Sequence, residues 1–103
     1  MAQFDIYRNP SPDAKYVPYL LDVQSDLLTG IDTRIVVPLF HEKAFGPASK
    51  RLNPIFDIEG ISVVMSTAEL AGVLPAVLGK KVGSLAERRD EIRDALDFAF
   101  QGF

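Results

Sequence analysis

The stretch that most narrows the fold runs from Ser84 to Phe103, S-L-A-E-R-R-D-E-I-R-D-A-L-D-F-A-F-Q-G-F. No Pro or Gly interrupts it before Gly102, and glycine is the usual residue just past a helix end. Ser84 and Glu87 have capping-box spacing: the serine oxygen takes the Glu87 N–H, and the glutamate reaches back to the serine N–H. At 100° per residue, Leu85, Ile92, Ala95, Leu96, Ala99 and Phe103 gather on one face, with Phe100 on its rim. Glu87, Asp90, Glu91, Asp94 and Asp97 take the other side. The pattern predicts one amphipathic helix that needs an apolar surface to lie on. Phe98 falls among the carboxylates, so either neighbouring structure covers it or a partner does.

Strands supply that surface. Gln3–Tyr7 alternates apolar and polar residues, the pattern of a half-buried strand. R-N-P-S-P-D-A-K, residues 8–15, is an exposed loop. Tyr16–Val23 reads as a second strand whose Pro18 belongs at an edge or a strand start. Thr33–Phe40, T-R-I-V-V-P-L-F, is rich in β-branched residues and nearly all apolar, so it is central. Gly46-Pro47 marks a turn in the irregular His41–Pro54 segment. Ile55–Ile58 and Ser62–Thr67 flank Glu59-Gly60, a two-residue hairpin turn. Thr67–Leu70 has room for one helical turn, and Ala71–Val82 is an apolar extended stretch broken by Pro75 and Gly79. About five short strands followed by one helix predict a mainly β domain over residues 1–103. Its sheet is antiparallel and barrel-like, and the helix closes one side.

Hydrophobic content of 48% with 24% charged residues suits a soluble globular domain. The absence of cysteine removes disulfides and thiolate metal sites. His41 is the only histidine and no second ligand accompanies it, so neither metal nor cofactor is expected. The basic pairs Lys50-Arg51, Lys80-Lys81 and Arg88-Arg89 are too short for a nucleic-acid footprint, and the net charge is −3. No apolar run approaches the roughly 20 residues of a membrane span. The N-terminus lacks the pattern of a signal peptide, which points to the cytoplasm. Phosphate-binding, dinucleotide-binding, zinc-protease and serine-hydrolase motifs are missing.

L-D-V-Q-S-D-L-L, residues 21–28, resembles the D-V-Q-S-D signature of the CcdB family of bacterial toxins. Q-F-D-I-Y is similar to the family's first strand, and T-R-I-V-V-P-L to its R-x-V-I-P-L strand. M-S-T-A-E-L-A-G-V-L-P, L-A-E-R-R-D-E-I-R-D-A-L and the terminal F-Q-G-F continue the resemblance along the whole chain. It implies a homodimer of barrel-like subunits that is not an enzyme. Such a toxin binds the A subunit of DNA gyrase, traps the cleaved-DNA complex, and is neutralised by a CcdA-type antitoxin that folds on binding. The resemblance assigns gyrase contact to Leu27, Leu28, Asp97, Phe100, Gln101, Gly102 and Phe103. It assigns antitoxin contact to Arg8, Asn9, Lys15, Glu42, Lys43 and Gln101, with the loops 8–15 and 41–50 around them. Two positions depart from the family's best-known member: Gln101 replaces Trp and Asp97 replaces Asn. Trp offers a ring face to a cation and Gln does not. Pro75 lies one residue later than in the family pattern. Two alternatives share the fold. One is a MazF-like ribonuclease using His41, Arg34 or Arg51; the other binds antitoxin but no longer poisons gyrase.

Overall fold

The computed structural model describes residues 1–102. Its single sheet contains β1 (Asp5–Arg8), β2 (Tyr19–Asp22), β3 (Arg34–His41), β4 (Ile55–Ile58), β5 (Ile61–Met65), β6 (Ala71–Val73) and β7 (Lys81–Ser84). The order is β4-β5-β3-β2-β1-β7, and every pairing is antiparallel. β3 is the central strand its composition predicts. One of its edges pairs with β2, Leu21 opposite Val37. The other is divided: β6 takes the first half, Ile35 opposite Gly72, and β5 the second, Leu39 opposite Met65. The sheet curls into a half-barrel whose concave side receives the helix α1 (Arg89–Gln101).

Alternation along the strands decides the core. Ile6, Tyr19, Leu21, Val37, Leu39, Phe56, Ile58, Val63 and Met65 pack into one cluster with Ile92 and Ala95 of α1. Full burial of a side chain such as Ile92 contributes about 1.5–3 kcal/mol. Leu96 extends this contact, as the helical spacing predicts, and Leu85 joins it from the segment before the helix. Ala99, which the helical wheel also puts on the apolar face, is exposed. Phe103, which the helical wheel puts on the apolar stripe, lies outside the described residues.

The capping box does not form. Ser84 is drawn into β7, opposite Asp5, and its Oγ accepts the Ala86 N–H at 3.1 Å rather than that of Glu87. A 3-10 turn over Ala86–Arg88 precedes α1, so the α-helix starts later than the cap signal implies. The other end is as expected: Gly102 has φ 77° and donates its N–H to Phe98 O at 2.9 Å.

Other boundaries move for identifiable reasons. β1 starts at Asp5 because Phe4 takes φ 74°, rare for a bulky residue. Bonds from Phe4 N to Asp22 O (2.6 Å) and from Leu85 N to Phe4 O (2.8 Å) hold it there. β2 starts at Tyr19, after Pro18, and β3 continues one residue further, to His41. Glu59 and Gly60 both have positive φ, 54° and 79°, as a tight hairpin between twisted strands requires. The apolar stretch Ala71–Val82 holds β6, a turn at Pro75–Val77 and the start of β7. Gly79 is needed there: a Cβ would lie 2.7 Å from Arg8 O.

Phe98 is covered from within the chain. The Arg51 guanidinium lies 4.8 Å above its ring centroid and forms a two-point pair with Asp94, at 2.9 and 3.0 Å. The helical wheel's anomaly is thus answered by a loop residue far away in sequence.

Candidate functional site

β3 carries its neighbours to two opposite ends. At the Arg34 end, β2 runs into the D-V-Q-S-D segment. The Asp22 side chain is fully buried. Its Oδ2 accepts Arg34 Nε at 2.8 Å and its Oδ1 accepts the Gln24 N–H at 3.0 Å. Arg34 Nη2 is 2.7 Å from the same Oδ2 but lies outside hydrogen-bond geometry. Burial pushes the Asp22 carboxyl above its ordinary value, with the Gln24 N–H and Arg34 pulling against it. Tyr7 donates to Asp5 Oδ2 at 3.3 Å, and Lys81 Nζ is 3.3 Å from Asp5 Oδ1. Burial first, then the Asp5 charge, pushes the Tyr7 phenol up to about 12.

Gln24, also buried, accepts the Ile35 N–H at 3.0 Å and donates to Leu28 O at 3.4 Å. Ser25 Oγ accepts from Leu27 N, and Asp26 Oδ1 from Gln3 N at 2.8 Å. This polar frame presents apolar side chains to solvent: Leu27 is 90% exposed and Leu28 42%. Nearby, Asp26 lines a polar hollow with Arg89 and Arg93 on the first turns of α1.

The helix terminus forms a second apolar feature. Phe100 is 74% exposed; Asp97, Gln101 and Gly102 are exposed beside it. Phe98, Ala99 and Phe100 border an open hollow of about 520 Å³ with Leu52, Ala68 and Leu70. Phe100 lies about 10 Å further along the helix than Arg93, at 1.5 Å per residue. The described residues assigned to gyrase contact thus come from two elements, the loop after β2 and the end of α1. Phe103 is outside the described residues.

The His41 end gathers most of the residues assigned to antitoxin contact. His41 N donates to Tyr16 O at 2.8 Å, which ties the 41–45 turn to the 8–15 loop. Asn9 Nδ2 donates to Asp13 Oδ1 and Val17 O, and its Oδ1 accepts the Ser11 N–H. These bonds give the loop its shape. Arg8 pairs with Glu59 at 2.8 Å, and Glu59 also accepts the Tyr19 hydroxyl at 2.5 Å. The Tyr19 bond, then its charged neighbours, hold the Glu59 carboxyl below its ordinary value. Burial, then Glu59, pushes the Tyr19 phenol up to about 12. Lys15 lies over the Tyr16 ring. Glu42 accepts from Ser62 Oγ, and Glu42 and Lys43 line a hollow with His41. Asn9, Ser11 and Asp13 rim another, floored by Leu20, Pro38 and Val77. Gln101 stands apart from this group, on α1.

A family model described as CcdB protein matches residues 3–102. The chain belongs to the CcdB family. CcdB proteins are toxins of toxin–antitoxin systems, and this chain is one of them. Among solved structures it is similar to an endoribonuclease in complex with its cognate antitoxin from a mycobacterial species. That likeness has a TM-score of 0.76 and 13% identity, over 97% of this chain and 94% of the other. At that identity it shows the shared fold. No described helix is long and apolar enough to cross a membrane.

Reading residue types alone missed the roles of Asp22, Gln24, Arg34 and Glu59. The available signal was the placement of Asp22 and Gln24 in an otherwise apolar L-L-D-V-Q run, where buried polar groups must find partners.

Proposed function

We propose that this CcdB-family toxin acts by binding rather than catalysis. In this reading it engages the A subunit of DNA gyrase, in the cytoplasm, as a homodimer. The observation that carries the reading is the exposure of Leu27 and Phe100 on ordered frames. Large apolar side chains gain nothing for the fold there, and such patches mark partner surfaces. Two-fold symmetry presents each patch twice, which suits a dimeric target. Gln101 contributes a polar contact where the family's best-known member has Trp. A CcdA-type antitoxin takes the His41 end, where two exposed loops are tied together.

A ribonuclease reading draws on the endoribonuclease fold neighbour. It needs a general base and acid near a cation. Arg34 and His41 occupy opposite ends of β3, about 23 Å apart at 3.3 Å per residue. Arg51 is engaged by Asp94 and Phe98. This dispersal favours binding.

The test is purified protein incubated with gyrase and supercoiled DNA, and separately with total RNA. The gyrase reading expects accumulated cleaved DNA and intact RNA. Degraded RNA with unaffected gyrase establishes the ribonuclease reading. Antitoxin binding without either effect establishes a CcdB-like protein that has lost its poison.

A further inference from the structure

An apolar side chain that is 90% exposed costs a free protein something and returns nothing to its core, yet the backbone around Leu27 is bonded residue by residue. Inside, Gln24 is 2% exposed and spans two segments: its Oε1 accepts the β3 amide of Ile35, and its Nε2 donates to Leu28 O. Its own N–H is fixed by Asp22, which Arg34 holds. Outside, Asp26 Oδ1 accepts the Gln3 N–H, while Gln3 Nε2 donates back to Val23 O at 3.1 Å. Between these clamps, Ser25 accepts both leucine amides, through Oγ for Leu27 and its carbonyl for Leu28. A buried amide is costly unless its groups are satisfied, and an aliphatic residue would serve a core position at less expense. The geometry of Gln24 is that of a strut between the β3 edge and the loop.

We propose that Gln24 and Asp26 are positioning residues that preset the pose of Leu27 and Leu28, so that this loop meets its partner already ordered. Prior ordering removes conformational cost from the binding step. The functional half of this inference rests on the gyrase-binding reading; the structural half does not.

The test uses the full chain as wild type and as Gln24→Ala, Asp26→Ala and Asp26→Asn. Asp26 is exposed, so its variants remain folded even if Gln24→Ala does not, and Asp26→Asn keeps the Oδ1 acceptor. Backbone order parameters at residues 26–28 should be near about 0.85 in wild type and fall below about 0.6 in both alanine variants. Asp26→Asn should behave as wild type. Affinity for a gyrase A fragment should fall about 5- to 10-fold in Asp26→Ala, and this loss should shrink to about 2-fold or less when Leu27→Ala is already present. An ordered loop in Asp26→Ala, or losses that simply add to those of Leu27→Ala, would overturn the inference. If the loop loses order in the alanine variants but wild type itself ignores the gyrase fragment, the positioning role stands and the gyrase reading falls.

Discussion

At the Arg34 end of β3 the chain buries its polar groups and exposes its leucines, whereas at the His41 end the polar groups stay near the surface and bond one another there. Asp22 and Gln24 are enclosed, and outside them the Gln3, Ser25 and Asp26 side chains bond backbone groups in and beside the loop that carries the leucines. Glu59, Arg8, Asn9 and Asp13 form bonds in view of solvent. A buried bond network is directional and enforces one geometry, so the first end holds a rigid shape. Exposed ion pairs are worth little and exchange with water, so the second end holds a shape that a partner can remodel. Under the proposed function, the first end would meet a folded target as a preset knob, and the second would take a disordered segment that folds over adaptable loops.

Breaking the buried end should have the largest effect. Asp22→Ala leaves the Arg34 guanidinium without its counter-charge, and removing one member of such a pair costs about 3–5 kcal/mol. A urea melt should show this as a lower midpoint; a loss under about 1 kcal/mol would mean that water reaches Arg34.

Alkali tests both ends at once. Tyr7 belongs to the Asp22 network and Tyr19 to Glu59, and each phenol is raised from 10.0 to about 12. A raised acid group contributes stability that is complete below the unfolded pKa and is lost as pH rises through the folded one. Stability should therefore fall between pH 10 and 12, by about 3 kcal/mol per tyrosine at 1.36 kcal/mol per pH unit. Tyr7→Phe and Tyr19→Phe should each flatten part of that fall in melts across the range.

Leu27→Ala should separate function from fold. Its stability should stay within about 0.5 kcal/mol of wild type, while binding of a gyrase A fragment weakens by about 1–2 kcal/mol, measured by calorimetry. An equal loss in both would place Leu27 in the fold rather than at an interface.

The smallest effect should come from Glu59→Gln, and it should depend on pH in a definite sense. The Glu59 carboxyl is held below its ordinary value by the Tyr19 hydroxyl and Arg8. Its contribution is present above the unfolded glutamate pKa and disappears as pH falls through the depressed one. Asp22 runs the other way. Its carboxyl is raised by burial, so the native state takes up that proton first, and its contribution to stability grows toward acid. Melts of Glu59→Gln should thus converge with wild type at low pH, and divergence there would contradict the exposed geometry.

Local patterns carried much of this architecture. Gly102 ends the helix, Glu59-Gly60 turns the hairpin, and Ile92 and Ala95 face the core, because each depends on neighbours within a few residues. What escaped depends on distant ones. Ser84 pairs with Asp5 instead of capping a helix, and Phe98 is covered by Arg51. β6 has only three residues, and Pro75 and Gly79 break the stretch that holds it and the start of β7, so neither reads as a strand. At the candidate site, the chain resemblance named Leu27 and Phe100, and both are exposed. The frame of Asp22, Gln24 and Arg34 became visible only when β2 and β3 lay side by side.

The central claim is that this toxin works through exposed apolar surfaces and not through a titrating group. Inhibition of gyrase supercoiling by wild type, by a chain lacking Gln101–Phe103 and by His41→Ala tests it most directly. The truncation acts beyond the Ile92–Leu96 contact with the core, so a folded protein should remain. Wild type and His41→Ala should inhibit alike, and the truncated chain should not inhibit at all. Full inhibition by the truncated chain, or its loss in His41→Ala alone, would contradict the account.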